Sequence, residues 1–209
     1  ILPPFEVMEP TTLREASELL AALGGRARIL ANGTDLLVNL KKRTLFDTHP
    51  APRAGEEWAG QPHPLAGADA PEVLISLERV PGLVGTHASR TGALVIGPMT
   101  TMTDLAGDPR VQERYTALAE GAAAIGAPTI RNRATLGGNL CHARPAADTA
   151  APAIVLDAAL ATLAIDGTRT IPADDFILSP GRSALREDEI LEAVALPPPL
   201  PWQGSAYEK

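Results

Sequence analysis

The 209-residue chain is 45% hydrophobic, enough for one domain or two small lobes sharing a core. A net charge of −7 with only 3% aromatic residues argues against a nucleic-acid surface, and no run reaches the ~18 uninterrupted apolar residues of a membrane span. The single cysteine, Cys141, excludes an internal disulfide, and it excludes an iron–sulfur cluster held by this chain alone, which takes about four thiolates.

A lone cysteine also fits a reducing, cytoplasmic compartment. The opening ILPPFEVMEP lacks the basic-then-apolar layout of a signal peptide, and the absence of an initiator Met makes a trimmed or processed start the expectation. Thr12-Leu13-Arg14-Glu15 is a capping box, followed by an apolar face of Leu13, Ala16, Leu20 and Leu23. Gly24-Gly25 ends that helix. A strand over 28–30 runs into the turn signal Asn32-Gly33, and a second, shorter helix is expected over 35–42. Its end, Lys41-Lys42-Arg43, is the only basic cluster and reads as a solvated helix terminus.

Segment 46–71 holds five prolines and reads as an irregular surface insertion. Its His49 and His63, fourteen residues apart, do not have the spacing of a recognisable ligand set, so no metal site is expected. Beyond it come a buried strand over 73–77 and a hairpin pairing 83–88 with 93–96. An alanine-rich helix is predicted over 108–125 and a short one over 151–157. A hairpin of 160–165 and 168–171, closed by Asp166-Gly167, leads to a helical turn over 172–176 and a last strand over 190–196. Mixed helices and strands without βαβα alternation predict an α+β fold.

Neither GxGxxG nor GxxxxGK[ST] occurs, so the common dinucleotide and P-loop fingerprints are missing. Two similar glycine loops remain, about a hundred residues apart: Ala31-Asn32-Gly33-Thr34-Asp35 and Thr135-Leu136-Gly137-Gly138-Asn139. In both, glycine permits a close backbone approach or a positive φ. Facing each other, they could line a pyrophosphate with N–H donors; taken singly, each could equally be an ordinary turn. Cys141-His142 follows directly, but adjacent residues seldom align as nucleophile and base, and no orienting third group is evident. The thiol reads as passive.

With these loops, IGPMTT over 96–101 and PAADTAAPA over 145–153, the chain resembles the FAD-binding subunits of the molybdenum hydroxylases. That group includes carbon monoxide dehydrogenase medium subunits, xanthine dehydrogenase flavin subunits and the β subunit of 4-hydroxybenzoyl-CoA reductase. The CoA-reductase branch inserts a cysteine-rich segment after the glycine loop. Here Cys141 runs straight into HARPAADT, which favours the cluster-free hydroxylase type.

The resemblance implies a two-lobed FAD-binding fold of the vanillyl-alcohol-oxidase (PCMH) type, with lobes at 1–78 and 79–209 and the flavin between them. Leu30, Ala31, Asn32, Gly33, Thr34, Asp35 and Leu36 would wrap the pyrophosphate from the first lobe. Thr135, Leu136, Gly137, Gly138 and Asn139 would approach it and the ribityl chain from the second. Asp148 would accept hydrogen bonds from sugar hydroxyls, with a helix N-cap as its alternative or additional role. Ile125 and Leu185 match positions lining the flavin, against an ordinary core role. Tyr207 and Lys209 of the terminal AYEK would approach the isoalloxazine, against a frayed terminus.

Relatives continue into a further α+β domain, so a fragment of a longer protein is expected. The implied function is electron transfer through FAD, between the iron–sulfur clusters of a small partner subunit and an external acceptor. A large molybdopterin-carrying subunit would handle the substrate, completing a heterotrimer. No catalytic acid, base or nucleophile is expected in this chain. The alternatives are a self-contained FAD oxidase or reductase and a cofactor-free scaffold subunit.

Overall fold

The computed structural model describes residues 2–42, 44–45, 63–64 and 70–209; His49 and most of the expected insertion lie outside them. β1 (Glu6–Met8) leads through Thr12 into α1 (Leu13–Leu23), the Thr12 hydroxyl accepting the Glu15 N–H at 3.1 Å. The Glu15 carboxylate accepts the Thr11 N–H at 2.8 Å, so the capping box closes with its return bond one residue early. Gly24 terminates α1 at φ +55. β2 (Ala27–Leu30) follows, then the turn 31–35 and α2 (Leu36–Lys42).

β3 (Thr44–Leu45) pairs antiparallel with β4 (His63–Pro64). β5 (Val73–Ser76) lies between β1 and β2, parallel to both. All four β5 residues are buried, which is why its run shows no alternation.

The rest of the chain builds an antiparallel sheet and a set of short helices. β6 (Thr86–Ala88) and β7 (Leu94–Ile96) form the expected hairpin with a shorter first strand. Then come α3 (Met102–Gly107), α4 (Pro109–Arg114), α5 (Thr116–Ala124), α6 (Pro128–Arg131), α7 (Leu136–His142) and α8 (Ala150–Val155). β8 (Ala159–Ala164) and β9 (Gly167–Pro172) precede α9 (Ala173–Phe176), the small pair β10 (Ile177–Ser179) and β11 (Arg182–Ser183), and β12 (Ile190–Leu196). The five-stranded sheet runs β6-β7-β12-β8-β9. The α+β class is the expected one.

Local details differ from the sequence pattern. The helix expected over 108–125 is two helices, broken at Tyr115 (φ −138, ψ 49). Tyr115 is 2% exposed and its hydroxyl donates to the Pro197 carbonyl at 2.9 Å, so burial of this ring accompanies the break. α3 was not expected, although Thr101 and Asp104 cap it as a hydroxyl–carboxylate pair. Segment 135–139 is not a loop: Thr135 is an N-cap and the glycines lie in the first turn of α7. In the β8–β9 hairpin Ala164 pairs with Gly167, so Ile165-Asp166 forms the turn instead of Asp166-Gly167.

The larger core gathers Ile96, Met102, Leu105, Leu118, Leu136, Leu140, Leu160 and Phe176 between the antiparallel sheet and the helices. A smaller core packs α1 on the parallel sheet through Ala16, Leu20, Val73 and Ile75, and also draws in Met99 and Ile190. Segment 97–101 thus runs between the two units, and the expected glycine segments meet beside it.

Candidate functional site

The first turn leaves β2 at Leu30 and enters α2 at Leu36. Gly33 adopts φ +75, where a side chain is strained; a Cβ there would also lie 2.6 Å from Leu37 Cδ1. The N–H groups of Asn32, Gly33, Thr34 and Asp35 find no acceptor among the described residues. Unengaged backbone donors around a left-handed residue favour an anion.

The second segment behaves differently. Thr135 Oγ1 accepts the Gly138 N–H at 3.1 Å, and the Leu136 and Gly137 amides donate to the carbonyls of Thr100 and Pro98 at 3.0 and 2.8 Å. The Asn139 N–H donates to the Thr135 carbonyl at 3.0 Å. These donors are engaged, so the glycines contribute room. A Cβ on Gly137 would stand 2.6 Å from Pro98 Cβ and 2.9 Å from its carbonyl oxygen. A Cβ on Gly138 would stand 2.9 Å from Thr135 Oγ1 and 3.9 Å from Ala31 Cβ. Gly138 therefore marks the close approach of the two segments. Asn32 Nδ2 ties them further by donating to the Arg133 carbonyl at 2.9 Å.

Asp148 is 5% exposed and lies just ahead of α8. Thr149 takes the N-cap position, so the alternative capping role for Asp148 is not realised. Its carboxylate instead receives the Tyr207 hydroxyl on Oδ1 at 2.7 Å and the Lys209 ammonium at 2.8 and 3.0 Å. The hydrogen bond to Asp148, with burial and the carboxylate charge, raises the Tyr207 pKa above its ordinary value. The terminus is thus docked, not frayed.

A second polar group joins α2 to the end of α7. Arg144 Nη2 donates to Asn39 Oδ1 at 3.0 Å and its Nε donates to His142 Nε2 at 2.7 Å. Asp35 Oδ1 lies 3.8 Å from His142 Nε2 and from Arg144 Nη1. Burial, which outweighs Asp35, lowers the His142 pKa, in keeping with an imidazole that accepts from Arg144. Among the described residues, Asn39 Nδ2 is buried with no hydrogen-bond partner. Cys141 packs against the larger core, and burial pushes its thiol up to about 12.

Among the expected residues, the structure brings Ala31 to Gly138, and Asp148 to Tyr207 and Lys209. The Asn139 side chain is occupied by the N-cap of α8, its Oδ1 accepting from Thr149 Oγ1 at 2.6 Å. Ile125 is 8% exposed in the larger core at the end of α5, and Leu185 packs partly buried against that core. Residues that sequence reasoning passed over are Pro98, Gly121, Asn39 and Arg144. Asp35 and Asn39 are four apart on one helical run, a spacing that could have signalled a shared face. An open hollow of about 450 Å³ around α3 and α4, lined by Thr103, Asp108 and Arg110, shares none of the expected residues.

Among the described residues, no helix is long and apolar enough to cross a membrane. A family model for the FAD binding domain in molybdopterin dehydrogenase matches residues 65–199. The carbon monoxide dehydrogenase medium chain of Hydrogenophaga pseudoflava is 35% identical over 209 residues, covering 100% of this chain and 64% of the relative. The xanthine dehydrogenase FAD-binding subunit of Escherichia coli O157:H7 is 34% identical over 199 residues, 95% of this chain and 60% of the relative. The chain thus spans about three fifths of the length of these curated relatives.

Among solved structures, carbon monoxide dehydrogenase from Hydrogenophaga pseudoflava lacking the Mo-pyranopterin moiety matches with a TM-score of 0.81 and 34% identity. That match covers 96% of this chain and 61% of the other. Quinoline 2-oxidoreductase from Pseudomonas putida 86 matches with a TM-score of 0.79 and 28% identity, covering 95% and 61%. Fold, relatives and family match agree: the chain belongs to the family of FAD-binding domains of the molybdopterin dehydrogenases.

Proposed function

We propose that this chain holds FAD between its two sheets and serves as the electron-transfer subunit of a cytoplasmic molybdenum-dependent hydroxylase or dehydrogenase. The observation carrying this reading is the convergence of Asp148, Tyr207 and Lys209. The resemblance expects all three at the sugar and ring end of the flavin, and they meet on one buried carboxylate.

The residues present fit the cofactor. The unengaged amides of Asn32, Gly33, Thr34 and Asp35 suit the pyrophosphate, and the left-handed Gly33 lets the chain turn around it. The 135–139 segment, whose amides are engaged, offers closeness: Gly138, without a Cβ, lets its backbone come close to Ala31 at the edge of the 31–35 turn. An ionised carboxylate has about four acceptor sites, so Asp148 can take sugar hydroxyls beside Tyr207 and Lys209. Ile125 and Leu185 would bound the ring on its apolar side.

Bound FAD would supply one- and two-electron transfer; the protein's part is to position it and set its electrostatics. Accordingly no side chain here is assigned a bond-making role. Electrons would pass between the clusters of a small iron–sulfur subunit, this flavin and an external acceptor, with substrate handled by a large molybdopterin subunit. The full-length protein is expected to co-purify with one molybdenum-containing and one iron–sulfur chain. Isolation without partners, with substrate reducing its own flavin directly, would contradict the subunit role and favour a self-contained oxidase.

A further inference from the structure

Three contacts fall on one face of α5. Ala117, Glu120 and Gly121 stand at i, i+3 and i+4, neighbours on a helix surface. The Ala117 N–H donates to Ser205 Oγ at 3.2 Å. This hydroxyl, 88 residues away, serves the start of α5, where the N-cap Tyr115 makes no side-chain cap bond. Glu120 Oε2 accepts the Tyr207 N–H at 2.7 Å. Gly121 faces Asp148 so closely that a Cβ would lie 2.4 Å from the Asp148 carbonyl oxygen.

The terminal segment matches this face in its own period. Ser205 and Tyr207 are half-buried while Ala206 and Glu208 are exposed, the alternation of an extended chain. Ser205, Tyr207 and Lys209 therefore share one side. Two of these bear on α5 and two on Asp148, with Tyr207 doing both.

We propose that Glu120 and Ser205 are positioning residues that register segment 205–209 along α5, so that Tyr207 and Lys209 reach Asp148 at the sugar end of the FAD site. This rests on the FAD reading above. In this role Glu120 acts through the Tyr207 backbone rather than on the cofactor. Its bond is charge-assisted, which makes it the stronger of the two registering contacts.

The test is FAD affinity of the full-length apoprotein, followed by flavin fluorescence. Glu120→Ala leaves a good helix former on an exposed position, so α5 is retained. It is expected to weaken FAD about tenfold, the effect of one lost hydrogen bond. Glu120→Gln keeps an acceptor for the Tyr207 N–H and is expected to stay within about twofold of the unaltered protein. Ser205→Ala should act in the same direction as Glu120→Ala. In a Tyr207→Phe/Lys209→Ala background, Glu120→Ala should add no further loss, since it has nothing left to position.

Equal loss from Glu120→Ala in both backgrounds would overturn the proposal, as would no loss in either while Tyr207→Phe/Lys209→Ala itself weakens binding. Unaltered protein that takes up no FAD would overturn the FAD reading together with it.

Discussion

Tyr207 donates its hydroxyl hydrogen to Asp148 Oδ1 at 2.7 Å, joining positions 59 residues apart at the point where the terminal segment meets α8. Asp148→Asn keeps the shape but removes the charge that holds Lys209 and half of the acceptor capacity. Charge-assisted hydrogen bonds contribute about 1.5–3 kcal/mol, so FAD affinity is expected to fall roughly ten- to a hundredfold in a fluorescence titration. The Tyr207 phenol, raised by this contact, should titrate closer to its ordinary value in the variant, read as phenolate absorbance. A raised folded-state pKa means that the contact stabilises below the unfolded value of about 10 and is lost as pH rises through the folded value. Docking of the terminal segment should therefore weaken in strongly alkaline solution.

The adjacent glycines should respond differently to substitution. Gly137 abuts Pro98, including its carbonyl oxygen, so Gly137→Ala is expected to destabilise the fold by about 1–3 kcal/mol, measured by urea denaturation. A Cβ on Gly138 would press on Thr135 Oγ1, the cap of α7, and touch Ala31 without meeting backbone. Gly138→Val should cost about 1 kcal/mol through the cap, still melt cooperatively, and lose FAD on gel filtration. Normal FAD retention by this variant would contradict the close-approach role.

Glu189 anchors the far end of the sheet. Burial opposes its ionisation, but hydrogen bonds from Arg169, Thr162 and the Arg186 backbone outweigh it and bring the pKa down to about 2. Arg169 grips both oxygens at 2.6 Å. A depressed folded-state pKa gives stability that is full above the unfolded value of about 4.3 and lost as pH falls toward 2. Glu189→Ala is expected to cost about 2 kcal/mol at neutral pH, because Thr162 and Arg169 lose their acceptor. The variant should also show a flatter stability profile across that acid window.

Cys141 should be chemically silent in the native protein. With its thiol pushed up to about 12 by burial, little thiolate is present at neutral pH, and alkylation is expected to run far slower than that of a free thiol, followed by mass spectrometry against time. Cys141→Ser should retain FAD, which separates this thiol from any redox role.

Some of this was legible in the sequence because local rules agreed with the fold. α1 announced itself through Thr12 and Glu15, and the β8–β9 hairpin through Asp166-Gly167, one residue beyond the observed turn. α7 did not, because Gly137, Gly138 and Asn139 are poor helix formers; burial of Leu136 and Leu140 overrides their propensity. The break at Tyr115 was equally hidden, since the alanine-rich run reads as one helix and only the tertiary contact to Pro197 distinguishes that residue. For the site, the glycines stood out locally, but no periodicity links residue 148 to residues 207 and 209; the family resemblance suggested them. Glu120 gave no signal, since an exposed glutamate on a helix looks like any solvated one. Its partner is a backbone N–H, and backbone partners leave no trace in sequence.

The most direct test is titration of the full-length apoprotein with FAD and, in parallel, with FMN. The predicted result is uptake of one FAD per chain with far weaker binding of FMN, because the proposed role of the 32–35 amides is to engage a pyrophosphate, which FMN lacks. No FAD uptake, or equal affinity for the two flavins, would contradict the clamp formed by Ala31 to Asp35, Gly138 and Asp148.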